Sequence, residues 1–394
     1  MRIVTDSADL KAFCAELNEG PYVALDTEFI RDQTYWPKLC LIQAASPTAE
    51  GIIDPLAKDI DLAPFHKLLA NKKVMKVFHA ARQDIEIFHH SAGIIPQPLF
   101  DSQIAAMVCG FGEAASYETL VRRIAKADID KSARFTDWSR RPLSKRQLEY
   151  ALADVTYLRT IYETLSAELE KSGRAVWLEE EEKTLKDPAT YKLEPEDAWR
   201  RLKLRSSNKK FVALVMAMAA WREREAQSRD VPRNRVVKDE AILEIASHPP
   251  ATAEALSDIR ALPNGYAASR QGKALLAVIK ETLEAPLPEI QPFESRRRGR
   301  EPSPAALDLL KTLLRLRATQ YGVAARLIAN SDELERLAGG DEDVPALQGW
   351  RAEVFGNDAR ALAEGRLAIA LDNGEAVVVE NAVVPEKKSR AKSR

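Results

Sequence analysis

At 394 residues the chain is too long for one ordinary hydrophobic core, so length alone predicts two or three domains. Its 45% hydrophobic and 30% charged residues are ordinary globular composition, and a formal net charge of -1 decides nothing about a polyanionic partner, because a balanced total can hide segregated charge. Three widely spaced cysteines (Cys14, Cys40, Cys109) argue against a zinc site and a disulfide framework, and no run approaches about eighteen uninterrupted apolar residues, so a soluble, cytoplasmic chain with no membrane partner is expected.

The first predicted element of consequence is the strand "YVALDTEF", residues 22 to 29. Side chains on a strand alternate faces, so Asp26 and Glu28 point the same way, roughly 7 Å apart, while Leu25, Thr27 and Phe29 face the other side. Two converging carboxylates near a core need a basic side chain, a backbone donor or a cation, unless the strand surfaces there and shows them to water. "KLCLIQAAS" and "GIIDPL" follow as strands, then a helix near residues 61 to 70, the strand-like "VMKVFHA" and a helix through "ARQDIEIFHH". Three strands before the first crossover helix predict a mixed sheet packed by helices. Asp84 lies on the last of these helices, where a solvated acid and a functional one are both compatible with the pattern. His79 reads as a strand-end residue, and Asp101 in "LFDSQIAA" as a helix N-cap. Glu118, Asp130 and Glu149 are assigned to solvated helix faces. In "EYALADVTYL", Tyr150 and Asp154 stand at i and i+4 on one helical face, about 5 to 6 Å apart between Cβ atoms.

Beyond about residue 195 the strand signals stop. "NKKFVALVMAMAAWREREAQSR", a turn at "DVPRN", "KDEAILEIASH" and further helices to about Leu283 predict an independent helical unit. From Trp199 to Lys238 there are twelve Lys or Arg against three acids, an excess of nine positive charges. Residues 286 to 304, with five prolines and four arginines, predict an extended linker. A second helical block then repeats the plan of the first, and the chain ends in "PEKKSRAKSR", too polar to pack.

Taken together, a D-x-E strand, an Asp 56 residues later and a Y-x-x-x-D helix beginning 66 residues beyond that resemble the three motifs of the DEDD 3'-to-5' exonuclease superfamily, in the subgroup with Tyr in the third motif. "ALDTEFIRDQTYWPKLCLIQ", "FHAARQDIEIF", "LFDSQIAA" and "TDWSRRPLSKRQLEYALADVTYL" are similar to the ribonuclease D family, and the helical blocks resemble HRDC domains. The resemblance implies an α/β RNase H-like exonuclease domain, a mixed sheet with flanking helices, followed by two all-α HRDC-like domains. The corresponding boundaries are 1–170 for the exonuclease domain, 171–198 for a connector, 199–285 for the first HRDC domain, 286–304 for the linker, 305–372 for the second block and 373–394 for a disordered basic tail.

Four converging carboxylates cannot all stay ionised without countercharge, which two divalent cations supply; oxygen ligands without Cys or spaced His favour Mg2+ or Mn2+ over zinc. By resemblance, Asp26 bridges both cations, Glu28 and Asp154 complete the nucleophile side, Asp84 serves the leaving-group side, and a neutral Tyr150 positions the attacking water. Tyr35 and Trp36 either stack on terminal bases or close a loop core. Arg140, Arg141, Lys145 and Arg146 either contact phosphates or form a solvated basic loop. His79 joins Tyr35, Trp36, Arg140, Arg141 and Lys145 as a candidate substrate contact, and Lys209, Lys210, Arg222, Arg233 and Arg235 are the candidate nucleic-acid contacts of the first helical block. Trp350 and Phe355 of the second block serve binding or its core. The stretch after His79, often glycine-rich in the family that the motifs resemble, is "AAR" here. The expected activity is 3'-to-5' trimming of structured RNAs such as tRNA precursors, by a monomer; a single-stranded DNA exonuclease and a catalytically silent RNA-binding scaffold are the competing readings.

Overall fold

The computed structural model describes residues 1–204, 206–287 and 301–380. Most of the expected linker and the end of the expected tail lie outside these residues. The strands are β1 (Arg2–Val4), β2 (Tyr22–Ile30), β3 (Lys38–Ala45), β4 (Glu50–Ile53), β5 (Met75–Phe78), β6 (Leu99–Asp101), β7 (Leu367–Asp372) and β8 (Glu375–Glu380). The longer helices are α1 (Ser7–Leu17), α2 (Ala63–Ala70), α3 (Arg82–Ala92), α4 (Ser102–Val108), α5 (Lys145–Ser172), α6 (Ala175–Glu181), α7 (Lys209–Ser228), α8 (Asp239–Ser247), α9 (Arg270–Glu284), α10 (Pro304–Tyr321), α11 (Ser331–Ala338) and α12 (Asn357–Ala363). Contacts group the described residues into two units, one of 1–100, 129–159 and 183–287, the other of 101–128, 160–182 and 301–380. These units interleave along the chain.

The first unit is built on a six-stranded sheet of order β1-β4-β3-β2-β5-β6. It is mixed, as expected: β2 and β4 run antiparallel to β3, while β5 is parallel to β2 and β1 to β4. Sequence reading passed over β1, too short to show alternation, and α1, whose first turn is capped by Asp6 accepting from the Ala8 and Asp9 amides at 3.0 and 2.9 Å. Val23, Ala24 and Leu25 of β2 are fully buried, and its acids follow at the strand's wetter end. The β2/β3 register breaks there: Glu28 faces Leu41 but Phe29 faces Leu39, so Cys40 is an extra residue on β3. Between β5 and α3 the chain turns sharply through Ala80, whose φ of 61° is left-handed. Glycine adopts that conformation freely, whereas alanine pays about 1 kcal/mol.

The first helical block is not independent. Its core of α7, α8 and α9 residues, among them Val215, Met218, Ile242, Leu275 and Ile279, includes Tyr35 from the loop after β2. The loop after β2 is therefore packed into the core of the block.

In the second unit, Leu310, Leu313, Leu314, Ile328, Val344, Val354, Trp350 and Phe355 form the core, which settles Trp350 and Phe355 as packing residues. The Trp350 ring stacks on Trp177, with centroids 4.6 Å apart, and its Nε1 donates to Glu181 at 2.9 Å. Both helical blocks put a glycine where a helix crosses a preceding 3-10 turn: a Cβ on Gly272 would collide with the Tyr266 carbonyl, and one on Gly356 would lie 2.5 Å from that of Ala346. The second block is not all-α, and residues 373–380 are not tail. β7 and β8 form an antiparallel ribbon turned at Asn373-Gly374, both at positive φ. The alternation of "LAIALDNGEAVVVE" around Asn-Gly is a strong local hairpin signal that the sequence reading did not use. Among the described residues no helix is long and apolar enough to cross a membrane.

Candidate active site

The site is assembled by three elements of the first unit. β2 presents Asp26 and Glu28 from one face, and α5 adds Tyr150 and Asp154 one turn apart. One carboxylate oxygen from each of Asp26, Glu28 and Asp154 lies within 4.8 Å of the other two. Asp84, in the first turn of α3, is only 6% exposed, which excludes the solvated reading, and it accepts from Thr27 Oγ1 at 2.5 Å. Residues far apart in sequence thus converge on one acidic pocket.

Its electrostatics follow from crowding like charges away from water. Burial first, then the charges of Asp154, Asp84 and Glu28, hold Asp26 well above the usual carboxylate range. Burial, Asp154 and Asp84 push Glu28 up to about 8. Burial raises Asp154 to about 7, against a hydrogen bond from Tyr150 and the charge of Arg134. Tyr150 is raised as well, by burial and the three neighbouring acids, and is neutral at physiological pH. Arg134, which the sequence reading missed, counters the rise at Glu28, Asp154 and Tyr150 from an exposed loop position. It sits in "KSARFTDW", without periodicity to mark it.

These residues suit a hard cation. The donors are carboxylate oxygens, and their own repulsion is relieved by positive charge. Opposite Asp26 on β3, fully buried Gln43 has neither its amide oxygen nor its nitrogen paired, a polar group with room for a further partner.

Several of the expected substrate contacts have partners within the protein. Tyr35 is buried, and its hydroxyl bonds to Glu223, Gln227 and Arg233, so its ring is not free to stack on a base. Trp36 already stacks on His90, with centroids 3.8 Å apart and planes at 11°. Arg141 is a structural clamp: Nε and Nη2 bond both Asp54 oxygens at 2.6 and 2.7 Å, and Nη2 also reaches the Cys40 carbonyl left over by the register break, at 2.7 Å. Arg222, 3% exposed, donates to the Val237 carbonyl at 3.0 Å and Asp239 at 2.6 Å. Arg233 pairs with Glu223 at 2.5 Å and lies over the Tyr35 ring. Each has partners distant in sequence, invisible to local reading. Arg235 donates to Gln33, and His79 is half-buried just after β5. Arg140, Lys145, Lys209 and Lys210 are exposed, Arg140 pairing with Asp137 and Lys145 loosely with Glu149. Asp101 caps α4 as expected, accepting from the Gln103 and Ile104 amides at 2.8 and 3.2 Å. Glu118 pairs with Arg122 on its helix, and Asp130, expected on a helix, lies in a loop paired with Arg146.

A 3'-5' exonuclease family profile matches residues 1–170, and an HRDC domain profile matches residues 212–279. The chain is 50% identical over 374 residues to ribonuclease D of Granulibacter bethesdensis, covering 94% of each chain. It is 49% identical over 381 residues to that of Nitrobacter hamburgensis, covering 96% of this chain and all of the other. Its fold matches the crystal structure of Escherichia coli RNase D, described as an exoribonuclease involved in structured RNA processing, with a TM-score of 0.77 and 30% identity over 92% of this chain and 98% of that one. The exonuclease fold of this family is divalent-metal dependent, and the acidic cluster is the candidate cation site. With motifs, fold and near full-length similarity in agreement, the chain belongs to the ribonuclease D family of 3'-5' exoribonucleases.

Proposed function

We propose that this exoribonuclease removes nucleotides one at a time from the 3' ends of structured RNAs, tRNA precursors among them, using two divalent cations, Mg2+ or Mn2+, held by Asp26, Glu28, Asp84 and Asp154. The observation that carries this reading is the convergence of three carboxylate oxygens within 4.8 Å in a pocket where burial keeps their ordinary ionisation from being stable. Bound cations supply the countercharge that lets the acids ionise together, and they polarise the attacking water and the departing 3' oxygen. Asp26, central to the repulsion, faces both halves of the site. Glu28 and Asp154 serve the side of the attacking water, and Asp84, oriented by Thr27, serves the leaving-group side. The neutral Tyr150 hydroxyl, hydrogen-bonded to Asp154, orients the water without acting as a strong base. A P–O bond forms to the water oxygen, which gives up a proton to solvent, as the P–O3' bond breaks and the departing 3' oxygen takes one up, leaving a nucleoside 5'-monophosphate and a new 3' hydroxyl.

Arg140, Lys145, Lys209 and Lys210 remain exposed for contact with phosphates. A site completed within one chain fits a monomer, and three free cysteines fit the cytoplasm. The test uses purified protein with 3'-labelled RNA and DNA oligonucleotides in Mg2+, Mn2+ or EDTA. Mononucleotide release from RNA, lost in EDTA, is expected; release from DNA alone, or release that persists in EDTA, overturns the proposal.

A further inference from the structure

The first unit contains a second charged cavity, of sign opposite to the acidic pocket. Its volume is about 430 Å³, and Arg31, Arg82, Gln83, Glu86, Arg201 and Arg233 are among its lining. A neighbouring cavity of about 360 Å³ shares Arg31, Arg201 and Arg233, so the basic lining continues beyond one concavity. The four guanidinium groups share two carboxylates, Glu86 in the lining and Glu223, which holds Arg233 and also feels the charge of Arg201, so the cleft keeps a net excess of two positive charges.

The four arginines divide into two kinds. Arg31 makes a forked pair with Glu86 at 3.1 and 2.7 Å, and Arg233 is held by Glu223, so both are fixed in place. Arg82 and Arg201 are exposed, and neither makes a hydrogen bond or ion pair with the described residues. Arginines serving only solubility have no reason to converge on one concavity. Arg82 lies in the first turn of α3, two residues from Asp84 and about 3 Å along the helix axis. Arg201 closes the 3-10 segment Pro195–Arg201 that leads into the first helical block. The cavity therefore extends from the helix of a catalytic acid to that block.

We propose that this cleft binds the phosphodiester backbone of the single-stranded RNA segment entering the acidic pocket, with Arg82 and Arg201 as its phosphate ligands; the inference rests on the exoribonuclease reading above. A guanidinium fork matches two phosphate oxygens, and contacts of this kind position a strand without reading its sequence. Asp84 on the buried side of α3 and Arg82 on its exposed side then give one helix both a cation-binding and a strand-binding role.

The test measures anisotropy of a 5'-labelled single-stranded RNA bound to the full chain carrying Asp26→Asn, across a salt series. Adding Arg82→Ala and Arg201→Ala is expected to weaken binding on the order of tenfold near 0.1 M salt and to reduce the log–log salt slope by about 1.4, roughly 0.7 for each lost phosphate contact. The paired Arg→Lys variant keeps the slope and recovers part of the affinity, because charge survives while the fork is lost. Lys280→Ala, exposed on α9 outside the cleft, binds as the parent does. Unfolding midpoints confirm that each variant is folded. Parental affinity and slope in the double alanine variant overturn the proposal. In parallel, hydrolysis of the same RNA by the chain with Asp26 intact tests the exoribonuclease reading separately: no cutting with the salt effect present sinks that reading alone, and normal cutting with no salt effect sinks the cleft alone.

Discussion

The acidic pocket and the cluster around Tyr35 both bury charge in the first unit, and they treat it in opposite ways. Around Tyr35 every charge is answered by protein: Glu223 accepts from Arg233 Nε and Nη2 at 2.5 and 2.6 Å and from the Tyr35 hydroxyl, while Asp230 takes the Tyr35 and Trp36 amides, each at 3.0 Å. Burial raises the Glu223 carboxyl, but these hydrogen bonds and the Arg233 charge more than offset it and leave it below the ordinary range. In the pocket, carboxylates face carboxylates, and three of them are held above that range. Charge neutralised from within marks architecture, whereas charge left to be neutralised from outside marks a site.

Three measurements break or sharpen this contrast. Asp26→Asn removes the acid at the centre of the repulsion; RNA hydrolysis is expected to fall on the order of a thousandfold or more with RNA affinity nearly unchanged, read by single-turnover cleavage and anisotropy. Wild-type turnover in that variant removes Asp26 from the mechanism. Glu223→Ala does the reverse, leaving part-buried Arg233 without its carboxylate and the Tyr35 hydroxyl without its acceptor; urea unfolding should show a loss of about 1 to 3 kcal/mol. A loss under about 1 kcal/mol would mean that the cluster does not lock the helical block to the sheet.

The smallest effect is the pH dependence of melting in EDTA. Glu28 at about 8, Asp154 at about 7 and Asp26, also raised, bind more protons in the folded state than in the unfolded chain, where carboxyls titrate near 4. Stability is then highest at and below about pH 4 as far as these groups decide it, and it falls as pH rises to about 8. Saturating Mg2+ should flatten the decline, as should Asp26→Asn in part. A decline of equal slope with and without the cation would show that the pocket does not hold it.

What was legible in the sequence was local or periodic. Asp26 and Glu28 share a face because strands alternate, and Tyr150 and Asp154 share one because helices turn in fewer than four residues. Asp84 stood out only through the resemblance of the ordered motifs to a known family, and Asp101 by its place before a helix. Long-range pairing hid the rest. Arg141 looked like part of a basic loop because its partner, Asp54, is 87 residues earlier, and Arg233 looked like a nucleic-acid contact because Glu223 and Tyr35 claim it only once the helical block docks on the β2 loop. Arg82 drew notice only as the last residue of the "AAR" stretch after His79. Its value as a ligand depends on a cavity wall contributed by residues more than a hundred positions later.

The register break after Glu28 bears on how this protein tolerates changes in length. Because the surplus residue Cys40 is also the one whose carbonyl receives Arg141, removing it would even out the strand pair while withdrawing an anchor from the loop ahead of α5. Insertions and deletions in this strand pair are therefore viable chiefly as coordinated changes, with the strand and the loop edited together.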